Sequence, residues 1–318
     1  MHRADGRGNL WSIVLAGGDG VRTKQFIRRW LGYEKPKQYC AFVGSRSMLQ
    51  HTLDRAARLT PWERVAVVAA RHHQYDLWQQ LDGRPAGIVL LQPKNLDTAA
   101  GVFLPLTYIL RHDPNATVVI YPSDHFIWPL ESFIAVVDQA VLGSRVLGGR
   151  AVLLAAKPDS VELDYGWIQA GRRFLHWTGE APIRTVERFV EKPSEAIARE
   201  AHHMGSLWNT MILVVKGREL WTLGKRCLPE IMLFFEQLKT AIDTAEEMMA
   251  LNAIYESMPR RNFSSHLLQC VPERLTVMEM RDVHWSDWGS PKRILSSLET
   301  IGKRPTALTD PQPFLYVG

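Results

Sequence analysis

Cysteine is scarce in this chain. Cys40, Cys227 and Cys270 are the only three in 318 residues, they lie far apart, and they form no Cys-x-x-Cys pair. A disulfide framework is excluded, and a reduced, cytoplasmic setting is the simplest reading. Long apolar runs are also missing: nothing approaches the roughly 18 residues a membrane helix needs, so no membrane partner is expected. The stretch 1–9 is polar and is not expected to act as a secretory signal. No run of five or more Lys and Arg occurs, which disfavours nucleic acid. The net charge of +5 is mild for this length. It suits an anionic small ligand met by a few clustered bases.

What is present is an alternation. Buried-strand runs at 11–16, 64–70, 87–91, 116–121 and 151–155 alternate with helical patterns at 48–59, 75–81, 98–111 and 130–147. This order implies βαβ units and a mostly parallel mixed sheet in an α/β/α sandwich of Rossmann-like type. In such sheets ligands bind beyond the carboxyl ends of the strands. Gly17-Gly18, Gln92-Pro93 and Ser123-Asp124 all follow strands. After residue 156 the pattern changes. Short β-like runs at 166–169, 185–190 and 211–215 precede a mostly helical stretch at 228–258. A late strand at 275–283 and a helix at 291–300 follow. The expected organisation is one domain over 9–302, whose second half (157–302) lays a ligand-binding lobe on the sheet of the first half (9–156), with an irregular tail (303–318).

The residues that carry chemistry begin with Leu15-Ala16-Gly17-Gly18-Asp19-Gly20-Val21-Arg22. Glycines directly after a strand let backbone N–H groups approach phosphate, and Arg22 adds a planar donor fork. The spacing is neither a dinucleotide fingerprint nor a Walker A loop. Glu34-Lys35-Pro36-Lys37-Gln38 adds a second basic element. Asp124 ends an apolar run and Asp287 lies 163 positions on (287 − 124), flanked by Trp285 and Trp288. Two such carboxylates converging on one Mg²⁺, with phosphate oxygens and water, is the usual magnesium arrangement. Glu191-Lys192-Pro193 places a carboxylate for sugar hydroxyls beside an ammonium for a phosphate. His72-His73 and His202-His203 are adjacent pairs that cannot both point one way on a helix or strand. Zinc spacing is absent, so neither pair is expected to hold a metal.

Leu-Ala-Gly-Gly-x-Gly-x-Arg followed by Pro-Lys-Gln resembles the signature loop of sugar-1-phosphate nucleotidyltransferases, most closely the mannose-1-phosphate guanylyltransferases. Further segments resemble that family in its order: 92–99 (Gln-Pro-Lys-Asn-Leu-Asp-Thr-Ala), 121–125 (Tyr-Pro-Ser-Asp-His), 165–168 (Tyr-Gly-Trp-Ile), 191–193 (Glu-Lys-Pro), 208–210 (Trp-Asn-Thr) and 285–290 (Trp-Ser-Asp-Trp-Gly-Ser). The resemblance implies Arg22, Lys37 and Asp124 as catalytic residues. It implies Leu15, Ala16, Gly17, Gly18, Gly20, Arg22, Lys37, Gln92, Asn95, Thr98 and Ser123 around the nucleotide. Around the sugar phosphate it implies Tyr165, Gly166, Glu191, Lys192 and Asn209, and it implies Mg²⁺ on Asp124 and Asp287. The expected substrates are an NTP, by preference GTP, and a sugar 1-phosphate, by preference mannose 1-phosphate; a homo-oligomer is compatible with the resemblance. The chain departs from the family in a longer Arg22–Lys37 loop carrying Arg28 and Arg29, in Thr23-Lys24, and in Met211 where glycine is usual. Two other readings are a metal-dependent glycosyltransferase and a non-catalytic nucleotide-sugar-binding relative.

Overall fold

The structure is a computed structural model that describes residues 8–81, 83, 86–178 and 181–304. Its strands are β1 (Leu10–Ala16), β2 (Val65–Ala70), β3 (Ile88–Gln92), β4 (Thr117–Pro122), β5 (Phe126–Trp128), β6 (Ala151–Ala156), β7 (Gly166–Thr178), β8 (Ala181–Glu191), β9 (Leu207–Lys216), β10 (Leu275–Glu279) and β11 (His284–Ser286). Its helices are α1 (Lys24–Leu31), α2 (Met48–Ala57), α3 (Gln74–Leu81), α4 (Asp97–His112), α5 (Leu130–Val146), α6 (Glu195–His203), α7 (Gly217–Cys227), α8 (Pro229–Ala241), α9 (Glu247–Ser257), α10 (Phe263–His266) and α11 (Pro291–Thr300).

The strand runs are apolar on both faces because both faces are covered. Along β1, Trp11 and Ile13 enter one core while Leu10, Val14 and Ala16 enter the other. Strands β4 and β6 alternate in the same way: Val118, Ile120 and Leu153 face the first core, Val119, Tyr121 and Leu154 the second. Helices α4, α7, α8 and α9 close the first face; α2, α3 and α5 close the second. Each fully buried Leu, Ile or Phe contributes about 1.5–3 kcal/mol. Pro105 lies inside α4 without ending it.

The nine-stranded sheet has the order β3-β2-β1-β4-β9-β6-β10-β8-β7. The pairings set β8 and β9 against the other seven strands, so the sheet is mixed and mostly parallel, as expected. The chain moves outward from β1 to β3, then returns to place β4 on the other flank of β1. That reversal opens a crevice between the carboxyl ends of β1 and β4, where the Ser123 N–H donates to the Leu15 carbonyl at 3.0 Å.

Several elements differ from expectation. The short β-like runs of the second half are parts of the longer strands β7, β8 and β9. The strand expected over 275–283 ends at Glu279; Asp282 takes φ +55°, and the chain restarts as β11, paired with β5. The stretch 228–258 is two helices, α8 and α9, parted by a turn with Asp243 at φ +67°. Helices α1, α6 and α7, of 8, 9 and 11 residues, were not expected from the sequence. The long Arg22–Lys37 loop is largely α1, whose Phe26, Ile27 and Trp30 pack with Phe42, Trp288 and α11. Of the expected irregular tail, residues 303–304 carry no helix or strand, and 305–318 lie outside the described residues, as do residues 1–7.

Candidate functional site

The glycine loop follows β1 and is shaped by residues from elsewhere. A Cβ at Gly17 would meet the Gln92 amide at 2.6 Å. Gly20 takes φ +61°, and a Cβ there would press on the Lys37 backbone at 3.3 Å. Gln38, buried at the end of the second basic element, donates to the Ala16 and Gly18 carbonyls at 3.0 and 2.8 Å. This support role was not read from the sequence. The loop, the β3 end and the β4 end enclose a cavity of about 320 Å³. Leu15, Gly17, Gly18, Gln92, Asn95, Thr98, Ser123 and Asp124 all line it. Ala16 is buried just beneath, with its carbonyl held by Gln38 and by the Tyr39 hydroxyl. Gln92 is buried and accepts from the Tyr255 hydroxyl at 3.2 Å, while Asn95 donates to the exposed Asp19 at 2.9 Å.

At one wall of this cavity the chain gathers its charges. Lys37 is 3% exposed, yet its ammonium meets the Asp124 carboxylate at 3.1 Å and donates to the Asp287 carbonyl. A buried ammonium without such partners would be very costly. The Asp287 carboxylate is buried and takes four donors. Oδ1 accepts from the Tyr165 hydroxyl (2.7 Å), Arg293 (3.0 Å) and the Gly289 N–H (2.8 Å), and Oδ2 accepts from Arg22 (2.8 Å). Burial alone would push its carboxyl up. The Tyr165 hydrogen bond and the Lys37 and Arg293 cations instead hold it well below the usual carboxylate range. Arg22 also pairs with Asp164 at 3.1 Å, and Arg293 also pairs with Glu162. Asp124 is 38% exposed; burial raises its carboxyl, but the Lys37 ammonium draws it below normal. His125 is kept neutral by burial, and the Trp285 indole donates to its Nδ1 at 3.3 Å.

A second group lies beside the cavity. The backbone space above Gly166 is filled by the Glu191 carboxylate, Asn209 and Phe189, so a Cβ there would meet Glu191 at 2.6 Å. Glu191 Oε2 is buried without a hydrogen-bond partner. Burial pushes its carboxyl up to about 7, which the adjacent Lys192 only partly offsets. Lys192 is exposed and takes φ +46°, its N–H held by the Tyr165 carbonyl at 3.2 Å. Asn209 donates to Ser264 at 3.4 Å and accepts from the Met211 N–H at 3.1 Å. Met211 stands at φ +59°, a conformation glycine adopts without strain, and it lines the cavity.

The fold therefore brings Arg22, Lys37, Asp124 and Asp287 together, and gathers Gly166, Glu191 and Asn209 nearby. The Tyr165 hydroxyl is committed to Asp287, with its ring against Trp208 and Trp285 and the Arg293 guanidinium 4.6 Å above its centre. Sequence reasoning missed Arg293, Glu162 and Asp164, which sit in no quoted motif, and the support role of Gln38, which ends the Pro-Lys-Gln segment; each acts through a partner distant in the chain. Arg28 and Arg29 are both exposed, and Arg28 pairs with Glu34 at 3.7 Å. His72 and His73, expected to diverge, converge with ring centres 4.0 Å apart. They sit in a tight 3₁₀ turn rather than on a helix or strand.

A Mg²⁺ ion bound through one carboxylate, phosphate oxygens and water fits Asp124, whose carboxylate opens to the cavity. Asp287 has both oxygens occupied by donors. It fits as a ligand only if Arg22 is drawn off by another anion.

A crevice at the strand reversal, a glycine loop and a buried Lys between the Asp124 carboxylate and the Asp287 backbone define a protein class. The family model described as Nucleotidyl transferase matches residues 11–304, and the chain belongs to that family. The resemblance to sugar-1-phosphate nucleotidyltransferases is borne out, and several relatives are named mannose-1-phosphate guanylyltransferase. The chain is 30% identical over 301 residues to the xanthan biosynthesis protein XanB of Xanthomonas campestris, covering 92% of this chain and 60% of that protein. It is 25% identical over 305 residues to a mannose-1-phosphate guanylyltransferase of Escherichia coli, covering 94% and 62%. The chain thus spans about 60% of the length of these curated relatives. A solved structure titled mannose-1-phosphate geranyltransferase, from Thermus thermophilus, superposes with a TM-score of 0.73 at 26% identity. That match covers 88% of this chain and 76% of the other.

Proposed function

We propose that this protein joins a nucleoside triphosphate to a sugar 1-phosphate and releases pyrophosphate, with GTP and mannose 1-phosphate as the preferred pair. The preference rests on the names of relatives such as the Escherichia coli enzyme. The observation that carries the reaction class is Lys37, a buried ammonium that joins the glycine loop to Asp124 and to the Asp287 backbone.

The nucleotide base sits in the cavity near Gln92, with the triphosphate along the loop 17–20. A phosphate oxygen of the sugar 1-phosphate attacks the α-phosphorus; the bond to the β-phosphate bridging oxygen breaks and pyrophosphate leaves. No covalent enzyme intermediate is needed, so catalysis is positioning and charge neutralisation. Arg22, half exposed at the loop, exchanges its carboxylate partners for phosphate oxygens. Lys37 holds the far end of the crevice rigid. Asp124, and Asp287 once Arg22 has left it, would hold Mg²⁺, which supplies charge neutralisation at the phosphates. Lys192 meets the sugar phosphate, while Glu191 and Asn209 meet its hydroxyls. A cytoplasmic setting remains our reading, resting on three unpaired cysteines.

The test is a pyrophosphate-release panel crossing four NTPs with several sugar 1-phosphates. The largest signal is expected with GTP and mannose 1-phosphate. No pyrophosphate from any pair, or turnover of an intact nucleotide sugar instead, overturns the reading.

A further inference from the structure

Beside the machinery described above, the loops after β1 and β2 meet at a second cluster. These strands are parallel neighbours in register Ala16↔Ala69, so their following loops emerge side by side. Asp19 comes from the first loop, and His72 and His73 come from the turn after β2. Asp19 Oδ1 lies 3.0 Å from His72 Nε2 and 3.7 Å from His73 Nε2. One ligand atom from each residue falls within 4.8 Å of the others. Three ligands around a tetrahedral ion with bonds near 2.0–2.1 Å stand roughly 3.3 Å apart, so these separations need little adjustment.

We propose that Asp19, His72 and His73 form a site for a borderline transition-metal cation of the Zn²⁺ and Co²⁺ class, separate from the Mg²⁺ position at Asp124. Two imidazole nitrogens and one carboxylate oxygen suit such ions, whereas Mg²⁺ prefers oxygen alone. Two independent observations support the site. His73 is 7% exposed. Its ring is held edge-on by Tyr39, so its Nε2 stays directed at Asp19. The second oxygen of Asp19 accepts from Asn95 at 2.9 Å, which is how ligating carboxylates are commonly oriented. The three protein ligands leave a fourth position open. Bound metal would tie the glycine loop to the β2 turn and, through Asn95, to the loop after β3.

The test uses the full chain, stripped with chelator and titrated with Co²⁺ in millimolar Mg²⁺, followed by visible absorption and thermal melting. One equivalent of Co²⁺ should bind and raise the melting temperature. His72 is 58% exposed, so His72→Ala should fold normally, and it should weaken Co²⁺ binding at least about tenfold and abolish the thermal shift. His203→Ala, on α6, should bind as the parent does. Asp19→Asn should weaken binding as His72→Ala does. Absence of stoichiometric binding, or equal binding by the parent and His72→Ala, overturns the proposal.

Discussion

Arg22 and Glu191 make opposite use of burial. Arg22 is 54% exposed in its side chain and holds Asp287 from the solvent side. In Arg22→Ala, Asp287 keeps Tyr165, Arg293 and the Gly289 N–H, so the fold should survive. Turnover should drop by about 10²–10³, the usual cost of removing one donor to developing charge. Pyrophosphate release alongside a melting curve checks both halves; near-parental turnover would remove Arg22 from the reaction. Glu191 lies inside, with one oxygen unpartnered. Its folded pKa near 7 exceeds the ordinary 4.5, so the folded state binds the extra proton between these values. The stability due to the protonated form is complete below about 4.5 and lost as pH rises through 7. Glu191→Gln cannot ionise. Its urea midpoint should match the parent's near pH 4.5 and exceed it by a growing margin up to pH 8. A margin independent of pH would refute the assignment.

At the level of the element, α2 depends on its first turn. Ser47 accepts from the Gln50 N–H at 3.1 Å, and Gln50 accepts from the Ser47 N–H at 3.1 Å, a reciprocal capping box. The helix carries Leu49 and Leu53 into the core below the crevice and holds Arg55 against Thr52 and the His125 carbonyl. Ser47→Ala should cost about 0.5–2 kcal/mol in urea unfolding while leaving turnover at room temperature unchanged. A loss of turnover without loss of stability would mean that the cap acts on the site itself. Helix α1 shows what an insertion in a functional loop can become. Its Trp30 stacks on Phe42 with centres 4.7 Å apart, and Phe42 meets Trp288 edge-on at 5.0 Å. The loop between Arg22 and Lys37 is thereby fastened to α11, and the spacing of these two bases follows from that packing.

For the whole molecule, the two halves share one sheet. Strand β9, from the second half, lies between β4 and β6, from the first. Without β9, both inner edges would expose unpaired backbone. A fragment of residues 9–156 should therefore fail to give the near-ultraviolet circular dichroism of a packed core. The full chain should unfold in one cooperative step. A soluble, cooperatively melting 9–156 fragment would show that the first half is autonomous.

The sequence by itself determined the doubly covered sheet and its strand-end loops. Two-faced apolar runs such as Val65–Ala70 can be satisfied only between two helical layers, and glycines after β1 announce a close backbone approach. It also marked Arg22, Lys37, Asp124 and Asp287, because each sits in a local motif beside a strand or a turn. What those side chains touch was decided only by the tertiary structure. Arg22 meets Asp287 across 265 positions, Tyr165 meets it across 122, and Lys37 reaches its carbonyl across 250. Spacing along a chain constrains neighbours within a turn or a strand; it says nothing about which distant carboxylate a buried cation will face. The adjacent histidines make the same point: on a helix or strand His72 and His73 would diverge, but a 3₁₀ turn beside the parallel neighbour's loop sets both on Asp19.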